Sequence, residues 1–270
     1  MFVIPADRLP AGFAEQLDRP PADPPPPRPA STVVLLRDGP GGPEALLLRR
    51  NRSSGFVPGA YVFPGGRVDA ADAEPRLLDR ADGLDDGADP EPAYWMAAVR
   101  ESFEEAGVLL ARDRDGRPLP DAGRDGALAE WRRTLLDDRA VLADVLDGLD
   151  ARLALDSVIY FAHWITPIAE PRRYDTRFFL AEFPDACEVC IDAREMTDAL
   201  WLTPAEALER FRAGRLPMVF PTVATLESLA PFASTAEALD AFRRRPVAPI
   251  LPRLVRTAEG VGIVIDGDGA

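Results

Sequence analysis

The sequence predicts a layered domain of the α/β or α+β class, because segments with strand and helix periodicity alternate along the chain. Strand-length apolar runs such as "STVVLLRD" and "YDTRFFLAEFP" are interspersed with segments whose apolar residues recur every three to four positions. Strands and helices mixed in this way bury their apolar faces in stacked layers. The length agrees, since 270 residues that are 47% hydrophobic can bury a sizeable core.

The first elements follow a proline-rich spacer. The stretch "RPPADPPPPRPAS", residues 19–31, is typical of a polyproline spacer. We therefore expect an N-terminal arm and spacer at 1–30, one domain at 31–245 and a C-terminal extension at 246–270. The runs "STVVLLRD" and "PEALLLRR", separated by "GPGG", predict a β-hairpin, and "AYVFPGG" predicts a third short strand.

The remaining elements alternate between helix and strand. Residues 93–110 predict a helix with one apolar face, and "GALAEWRRTLLDDRAVLADVLDGLD" predicts two short helices. Strand patterns return in "DSVIYFAHWITP", "YDTRFFLAEFP" and "ALWLT". The segment "PAEALERFRAG" predicts a helix, with Pro near its start and Gly after its end.

Charge and hydropathy restrict the partners. The net charge of -14 repels phosphate backbones, so we expect no nucleic-acid polymer as a partner, whereas a small anion bound through a metal is compatible with it. The sequence contains no run of 18 apolar residues that would predict a membrane span. The first 20 residues have Asp, Arg and Pro where a signal peptide needs an apolar run. We expect a cytoplasmic protein, and keep open whether it is a homodimer.

The cysteines Cys187 and Cys190 form "CEVC", which raises the question of a metal or redox site. A structural zinc needs four ligands, and the chain offers one further candidate, His163. The alternation of Val189 and Ile191 favours a strand over a redox site at a helix start. We therefore predict two half-buried strand cysteines and a structural His163.

Three glutamates stand at helical spacing in "AAVRESFEEAGVLL". Glu101, Glu104 and Glu105 share one helix face, about 6 Å apart at Cβ. Such a cluster is either a solvated face or an oxygen-ligand site for Mg²⁺ or Mn²⁺. Arg100, one turn before Glu104, is placed to hold that carboxylate, and Gly107 permits a close approach to the helix.

The string "RESFEEAG" resembles the core of the Nudix box, whose pattern is Gly, five residues, Glu, seven residues, then Arg-Glu-aliphatic-any-Glu-Glu-any-Gly-aliphatic. Ser102 stands where the pattern has an aliphatic residue. Gly66 of "FPGGRVD" resembles the first glycine, but it precedes Arg100 by 34 residues instead of 14, which indicates an insertion of about 20 residues. Counting back from Arg100 puts the first glutamate of the pattern at Pro92, and Glu91 is one position away.

Over residues 31 to about 230 the chain is similar to the peroxisomal coenzyme A diphosphatase-like branch of Nudix hydrolases and its bacterial relatives. The similarity is carried by "LLLRRNRSSGFVPGAYVFPGG", "FAHWITP", "PRRYDTRFFLAEFP" and "LWLTPAEAL". It implies a Nudix-type α/β/α sandwich with a mixed sheet and helical insertions at about 70–92 and 111–155. The coenzyme A motif of other branches has Arg four residues before Gly59, where this chain has Gly55.

The resemblance implies a Mg²⁺-dependent diphosphatase that cleaves coenzyme A or an acyl-CoA to 3′,5′-ADP and (acyl-)phosphopantetheine. The same box also serves hydrolases of ADP-ribose, NADH or nucleotide sugars. A regulatory module that binds a nucleotide without turnover is the alternative from another class, although an intact set of mutually repelling glutamates argues against it.

The resemblance also implies roles for single residues. Glu101 and Glu105 are expected as metal ligands together with the carbonyl of Gly65, while Glu104 binds a further metal or acts on the water and Arg100 orients it. The expected general base is Glu195, with Glu188 and Asp198 as alternatives. The expected substrate-binding residues are Arg49, Arg50, Arg52, Phe63, Arg172, Arg173 and Arg177.

Overall fold

The computed structural model describes residues 2–5, 17, 23–52, 57–84, 87–119, 126–185 and 187–265. The chain divides into two compact units, of which the larger comprises 30–161 and 177–246 and the smaller comprises 1–29, 162–176 and 247–270. The limits expected after residues 30 and 245 fall one residue from two of these boundaries. Residues 162–176, expected inside the domain, group with the terminal segments instead.

The larger unit is built on a central sheet in which five long strands follow the order β10-β3-β2-β9-β8. The predicted hairpin is confirmed as β2 and β3, which pair antiparallel. Leu46, Leu47 and Leu48 are successive residues of β3, and all three are fully buried. Because successive strand residues point to opposite faces, both faces of this sheet are covered, which confirms the layered class. The strands are β1 (Phe2–Pro5), β2 (Arg28–Gly39), β3 (Gly42–Arg50), β4 (Tyr61–Val62), β5 (Gly65–Arg67), β6 (Ala111–Arg112), β7 (Arg152–Leu153), β8 (Ile159–Ile165), β9 (Tyr174–Glu182), β10 (Met196–Leu202), β11 (Pro249–Ile250), β12 (Arg253–Arg256) and β13 (Gly260–Val264).

Among the described residues the α-helices lie in the larger unit, and the glutamate helix is the longest of them. It ends four residues earlier than predicted, because Gly107 adopts a left-handed conformation (φ 76°) that glycine tolerates and that terminates a helix. The two short helices predicted after residue 125 are confirmed. No helix in the described part of the chain has the length and apolar character to cross a membrane. The helices are α1 (Pro75–Asp79), α2 (Pro92–Ala106), α3 (Ala127–Leu136), α4 (Leu142–Leu149), α5 (Pro204–Arg212), α6 (Phe220–Leu229) and α7 (Thr235–Arg243).

The two predicted insertions contact each other. The first contains a 3₁₀ turn, Ala70–Ala73, and helix α1. The second begins and ends with the paired strands β6 and β7. Leu153 of β7 donates a backbone hydrogen bond to Arg80 O (2.7 Å) and accepts one from Asp82 N (2.9 Å). The insertions therefore join into one extension, which carries α3 and α4.

The smaller unit contains a three-stranded sheet in the order β1-β13-β12. Its strands come from opposite ends of the chain, since Phe2 of β1 is paired with Ile263 of β13. Strand β11 pairs in parallel with His163 and Trp164, the part of β8 that belongs to this same unit. His163 is buried and its Nε2 lies 2.5 Å from Asp175 Oδ1. This pairing fits the structural role that the sequence predicted for His163.

Candidate active site

Two glycines of β5 allow the chain to pass close to the glutamate helix. A Cβ on Gly65 would lie 2.4 Å from the carbonyl oxygen of Ser31, and a Cβ on Gly66 would lie 2.4 Å from Glu101 Oε1. Real Cβ atoms do not come this close to other atoms, so glycine is required at Gly65, where the neighbour is backbone, and at Gly66 a Cβ would displace the Glu101 carboxylate. The sequence "FPGG" thereby places a strand backbone directly against the carboxylate of Glu101.

The carboxylate of Glu105 is buried, and that of Glu101, whose side chain is 12% exposed, lies beside it. Glu105 is 3% exposed, and the backbone N–H of Gly65 donates to its Oε2 (2.9 Å). Burial, and secondly the charge of Glu101, raise the pKa of Glu105 well above its ordinary value, against the Gly65 N–H and Arg50, which lower it. Burial raises the pKa of Glu101 to about 7, although Arg100 opposes the shift. Both shifts express a cost of charging this site that a bound cation would offset.

Arg100 organises the first two glutamates of the cluster. Its Nη1 donates to Glu101 Oε1 (3.0 Å) and to Glu104 Oε2 (2.8 Å). Its Nη2 donates to the carbonyl of Arg67 at the end of β5 (2.8 Å). The side chain is 7% exposed, so these contacts are shielded from water. Burial also raises the pKa of Glu104, with Arg100 opposing.

Asp72 is a further acidic partner of Arg100, and no prediction from the sequence included it. Arg100 donates from Nε to Asp72 Oδ1 (2.8 Å) and from Nη2 to Asp72 Oδ2 (3.1 Å), and Asp72 is 2% exposed. Pro92, the position reached by counting back from Arg100, is the first residue of α2 and carries no acid. Counting forward from Gly66 over five residues leads to Asp72, so the insertion separates Asp72 from Arg100. The box is therefore split after its first acidic residue.

Ser102 is the one mismatch within the helical part of the box, and its surroundings explain why a serine fits there. It is fully buried, and its hydroxyl donates to the carbonyl of Val108 (3.0 Å), just beyond the helix end. A side chain that satisfies its own hydrogen bond can occupy a buried position otherwise suited to an aliphatic residue.

The 187–195 segment, which precedes β10, lies at the C-terminal end of α2. Cys187 and Cys190 are free thiols, Cys187 buried and Cys190 partly buried. The strand predicted for them is wrong, since residues 187–192 form no strand. The backbone N–H of Cys190 instead donates to Ala106 O (2.9 Å). Because the Cys190 N–H donates to a helix carbonyl, it cannot also donate to a neighbouring strand at that position.

Of the three candidate bases, we favour Glu195 for its electrostatic effect on the glutamates. Its charge is among the influences that raise the pKa of both Glu101 and Glu105. Asp198 is engaged elsewhere, because it accepts a hydrogen bond from the hydroxyl of Tyr61 (2.7 Å). Burial, followed by this bond to Asp198, raises the pKa of Tyr61 to about 12. Glu188 and Glu195 are both exposed, so exposure does not separate them, and Glu195 stays our prediction for the base because of its effect on the two glutamates.

The predicted arginines of β3 point to opposite faces of the sheet. Arg50 faces the glutamates, because its charge lowers the pKa of Glu105. Arg49 is directly opposite Tyr61 on β4 and Asp198 on β10, and its guanidinium lies 5.8 Å from the centre of the Tyr61 ring. Successive strand residues alternate between faces, so the two arginines cannot form one cluster.

The other predicted substrate residues have different surroundings. Phe63 is 3% exposed, which fits packing in the interior. Arg173, in the smaller unit, is buried and donates to the carbonyls of Thr166 (3.1 Å) and Pro25 (3.0 Å), which is a structural role. Arg172 and Arg52 are exposed, and their role in substrate binding stays a prediction. Gly55 lies outside the described residues.

Arg177 is the remaining arginine, and it lies against α2. Its guanidinium carbon lies 4.6 Å from the centre of the Tyr94 ring. Tyr94 is seven residues before Glu101, which is two turns or about 10 Å along the helix. The spacing of seven puts both side chains on the same helix face. Arg177 is therefore held on the side of α2 that carries the glutamates.

The donor set at this site has the chemistry for a hard divalent cation. Within the described ranges, no three His, Cys, Asp or Glu side chains already stand as a ligand set. The carboxylates of Glu101 and Glu104 accept hydrogen bonds from Arg100, and that of Glu105 accepts one from the Gly65 N–H. The donors are nevertheless carboxylate oxygens with raised pKa values, and such oxygens are the ligands that Mg²⁺ and Mn²⁺ prefer once deprotonated.

The split box with these contacts and the sheet covered on both faces match the α/β fold of a Nudix hydrolase. Enzymes of this class hydrolyse diphosphate bonds. Comparison with known proteins narrows the class. The model of the NUDT19 Nudix domain matches residues 75–229, and the chain belongs to this family.

Relatives and a solved structure agree with this assignment. Acyl-coenzyme A diphosphatase NUDT19 of Homo sapiens is 32% identical over 289 residues, covering 89% of this chain and 76% of that protein. The protein of the same name from Gallus gallus is 31% identical, with coverages of 77% and 69%. The crystal structure of a Nudix hydrolase from Alicyclobacillus acidocaldarius superposes with a TM-score of 0.71 at 30% identity, covering 82% of this chain and 99% of that one.

Proposed function

We propose that the chain is a Mg²⁺- or Mn²⁺-dependent diphosphatase that hydrolyses coenzyme A or an acyl-CoA to 3′,5′-ADP and (acyl-)phosphopantetheine. The observation that carries the proposal is the pair Glu101 and Glu105 beside the Gly65–Gly66 backbone, of which Glu105 is buried and Glu101 is 12% exposed at its side chain. The substrate class is supported by the names of the human and Gallus gallus relatives, which are acyl-coenzyme A diphosphatases.

The groups that would hold the metal are the carboxylates of Glu101, Glu104 and Glu105 and the carbonyl of Gly65. A cation held there would neutralise charge on the diphosphate and on the transition state. Arg100 bonds both Glu101 and Glu104, and so orients these carboxylates before a substrate is present. This fixed arrangement favours catalysis, because the charged groups need little reorganisation during the reaction.

Glu195 would act as the base. In hydrolysis, a water oxygen forms a bond to one phosphorus while the bond from that phosphorus to the bridging oxygen breaks. The bridging oxygen leaves with the second phosphate, and the proton released by the water passes to Glu195. A base of this kind typically contributes about 10²–10⁴-fold to the rate. The effect of Glu195 on Glu101 and Glu105 supports its placement near the reacting water.

Arg50 and Arg177 are the cations we propose for the substrate phosphates. Arg50 faces Glu105, and Arg177 lies against the same helix about two turns from Glu101. Coenzyme A carries a 3′-phosphate in addition to its diphosphate, and arginine suits phosphate oxygens because its guanidinium presents a fork of donors. Two separated guanidiniums on the glutamate side of α2 thus match the two phosphate groups.

The experiment compares coenzyme A, dephospho-coenzyme A and ADP-ribose at equal concentration with Mg²⁺, with the products identified by mass. We expect 3′,5′-ADP and phosphopantetheine from coenzyme A. The dephospho form should be worse by about 1–3 kcal/mol in kcat/KM, because the arginine that binds the 3′-phosphate is left without its partner. Equal cleavage of the dephospho form, or a preference for ADP-ribose, NADH or a nucleotide sugar, would contradict the coenzyme A assignment alone. Absence of cleavage of every diphosphate would favour the regulatory module.

Two neighbouring arginines provide a matched control. Arg50→Gln should raise the KM for coenzyme A, because this guanidinium faces the glutamates. Arg49→Gln should change KM much less, since Arg49 lies on the other sheet face beside Tyr61. Equal effects of the two substitutions would show that the assignment of sheet faces does not govern substrate binding.

A further inference from the structure

The C-terminal end of the catalytic helix α2 is buried, so its free carbonyls need partners from the protein. The last four carbonyls of a helix have no partner within it. The helix turn itself satisfies two acceptors, since Gly107 N donates to Phe103 O (3.0 Å) and Val108 N donates to Ser102 O (3.3 Å). Three later carbonyls remain.

The 187–195 segment satisfies the final two. Cys190 N donates to Ala106 O (2.9 Å), and Asp192 N donates to Glu105 O (3.2 Å). Glu105 and Ala106 are both buried, so water cannot replace these donors. The segment is therefore docked on the helix through two backbone hydrogen bonds.

The remaining carbonyl, that of Glu104, is satisfied by Arg132 of the inserted helix α3. Arg132 is 6% exposed and donates to Glu104 O from Nη2 (2.7 Å) and Nε (3.3 Å). Its guanidinium also hydrogen-bonds the side chain of Cys190, and burial lowers its pKa. A Cβ on Gly107 would lie 3.1 Å from Cys190 O and 3.2 Å from Arg132 Nη1, so glycine makes room for both. One buried cation thus bridges the helix end and the docked segment.

The docked segment carries the proposed base. The N–H of Glu195 donates to Asp192 O (3.2 Å), and its carbonyl accepts from Asn51 N (2.7 Å). The backbone of Glu195 is therefore fixed on both sides, and one of its two anchors is the residue that docks on Glu105 O. The position of the Glu195 carboxylate depends on where this segment sits on α2.

We propose that Arg132 is a positioning residue, which acts through the 187–195 segment to hold Glu195 in place for the reaction. This inference rests on the proposed function, in which Glu195 is the base. It assigns a role to helix α3, which belongs to the second insertion. Arg132 itself hydrogen-bonds the backbone of the catalytic helix near its C-terminal end, and it needs no contact with the substrate.

The test is a double-mutant cycle of Arg132→Met and Glu195→Gln, with kcat and KM measured for coenzyme A. In the wild-type background Arg132→Met should lower kcat on the order of 10-fold, a part of what a general base contributes, with little change in KM. In the Glu195→Gln background the same substitution should have little further effect, because the group that it positions is already gone. Equal fold-losses in both backgrounds would overturn the inference. Arg133→Met, on the exposed side of the same helix, is the control and should retain activity.

A second readout is independent of activity. Hydrogen exchange of the Cys190 and Asp192 amides should accelerate in Arg132→Met, whereas exchange in the central sheet should stay as in the wild type. Unchanged exchange of these two amides would overturn the inference even if the enzyme cleaves another diphosphate. Should Arg132→Met fail to fold, Arg132→Lys carries the same cycle, and it should lie between the wild type and the methionine variant because it keeps the charge and loses the fork.

Discussion

Replacing Asp72 by asparagine tests how the split box is assembled. Asp72 accepts two hydrogen bonds from Arg100, at 2.8 and 3.1 Å, and its Oδ2 also accepts from Asp69 N (2.8 Å). An asparagine at this position offers one acceptor oxygen and an NH₂ group. The NH₂ would face a donor, so at least one buried N–H would lose its partner.

The magnitude follows from the burial of both partners. Asp72 is 2% and Arg100 7% exposed, and breaking a buried pair by removing one charge typically costs about 3–5 kcal/mol. Arg100 keeps its bonds to Glu101, Glu104 and the Arg67 carbonyl, which favours the lower end. We expect a loss of about 3 kcal/mol, or about 6–12 °C in Tm for a chain of this size.

Asp69→Asn provides the control in the same turn. Its carboxylate is 56% exposed and lies 3.9 Å from Arg100 Nη2, so its loss should cost less than about 1 kcal/mol. The assay is thermal and urea unfolding of both variants beside the wild type. If Asp72→Asn costs no more than Asp69→Asn, Asp72 is not the acid that completes the box, and the reasoning fails.

Two further predictions concern the carboxylates. Glu195→Gln should lower kcat by about 10²-fold or more with the fold intact, whereas Glu188→Gln should not; the reverse order in steady-state assays would move the base to Glu188. In EDTA, melting measured between about pH 5 and pH 8 should show stability falling as pH rises. The pKa of Glu101 is about 7 in the folded chain against an ordinary 4.5, so the folded state binds this proton more tightly and the contribution present below 4.5 is lost as pH rises through about 7. Mg²⁺ should reverse most of this loss at the high end, because it binds the deprotonated carboxylates, and a flat profile in EDTA would contradict the raised pKa.

The local patterns in the sequence predicted the central hairpin, the glutamate helix and the carboxylates of the site. These features depend on short-range rules, such as strand length, helical spacing and the residues of the box. Asp72 was within reach of the same rules, because it follows Gly66 at the spacing of the unbroken pattern. Counting back from Arg100 failed because an insertion disrupts spacing on one side only.

Other features depend on contacts between distant parts of the chain. The pairing of β1 with β13 joins residues about 260 positions apart, which no local pattern reports. Arg132 stands in an ordinary amphipathic helix, and its role arises from the helix end that it meets. The separation of Arg49 from Arg50 was predictable, since adjacent strand residues point to opposite faces.

The central claim is that the three glutamates of α2 are the catalytic metal site of a diphosphatase. Turnover of coenzyme A by Glu105→Gln tests it most directly. Glutamine keeps the shape and the acceptor for the Gly65 N–H, but removes the charge. With Mg²⁺ present, the variant should fold and its kcat should fall by about 10²-fold or more. The wild type should lose its turnover in excess EDTA and regain it when Mg²⁺ or Mn²⁺ is restored. Turnover by Glu105→Gln at the wild-type rate, or by the wild type in excess chelator, would contradict the claim.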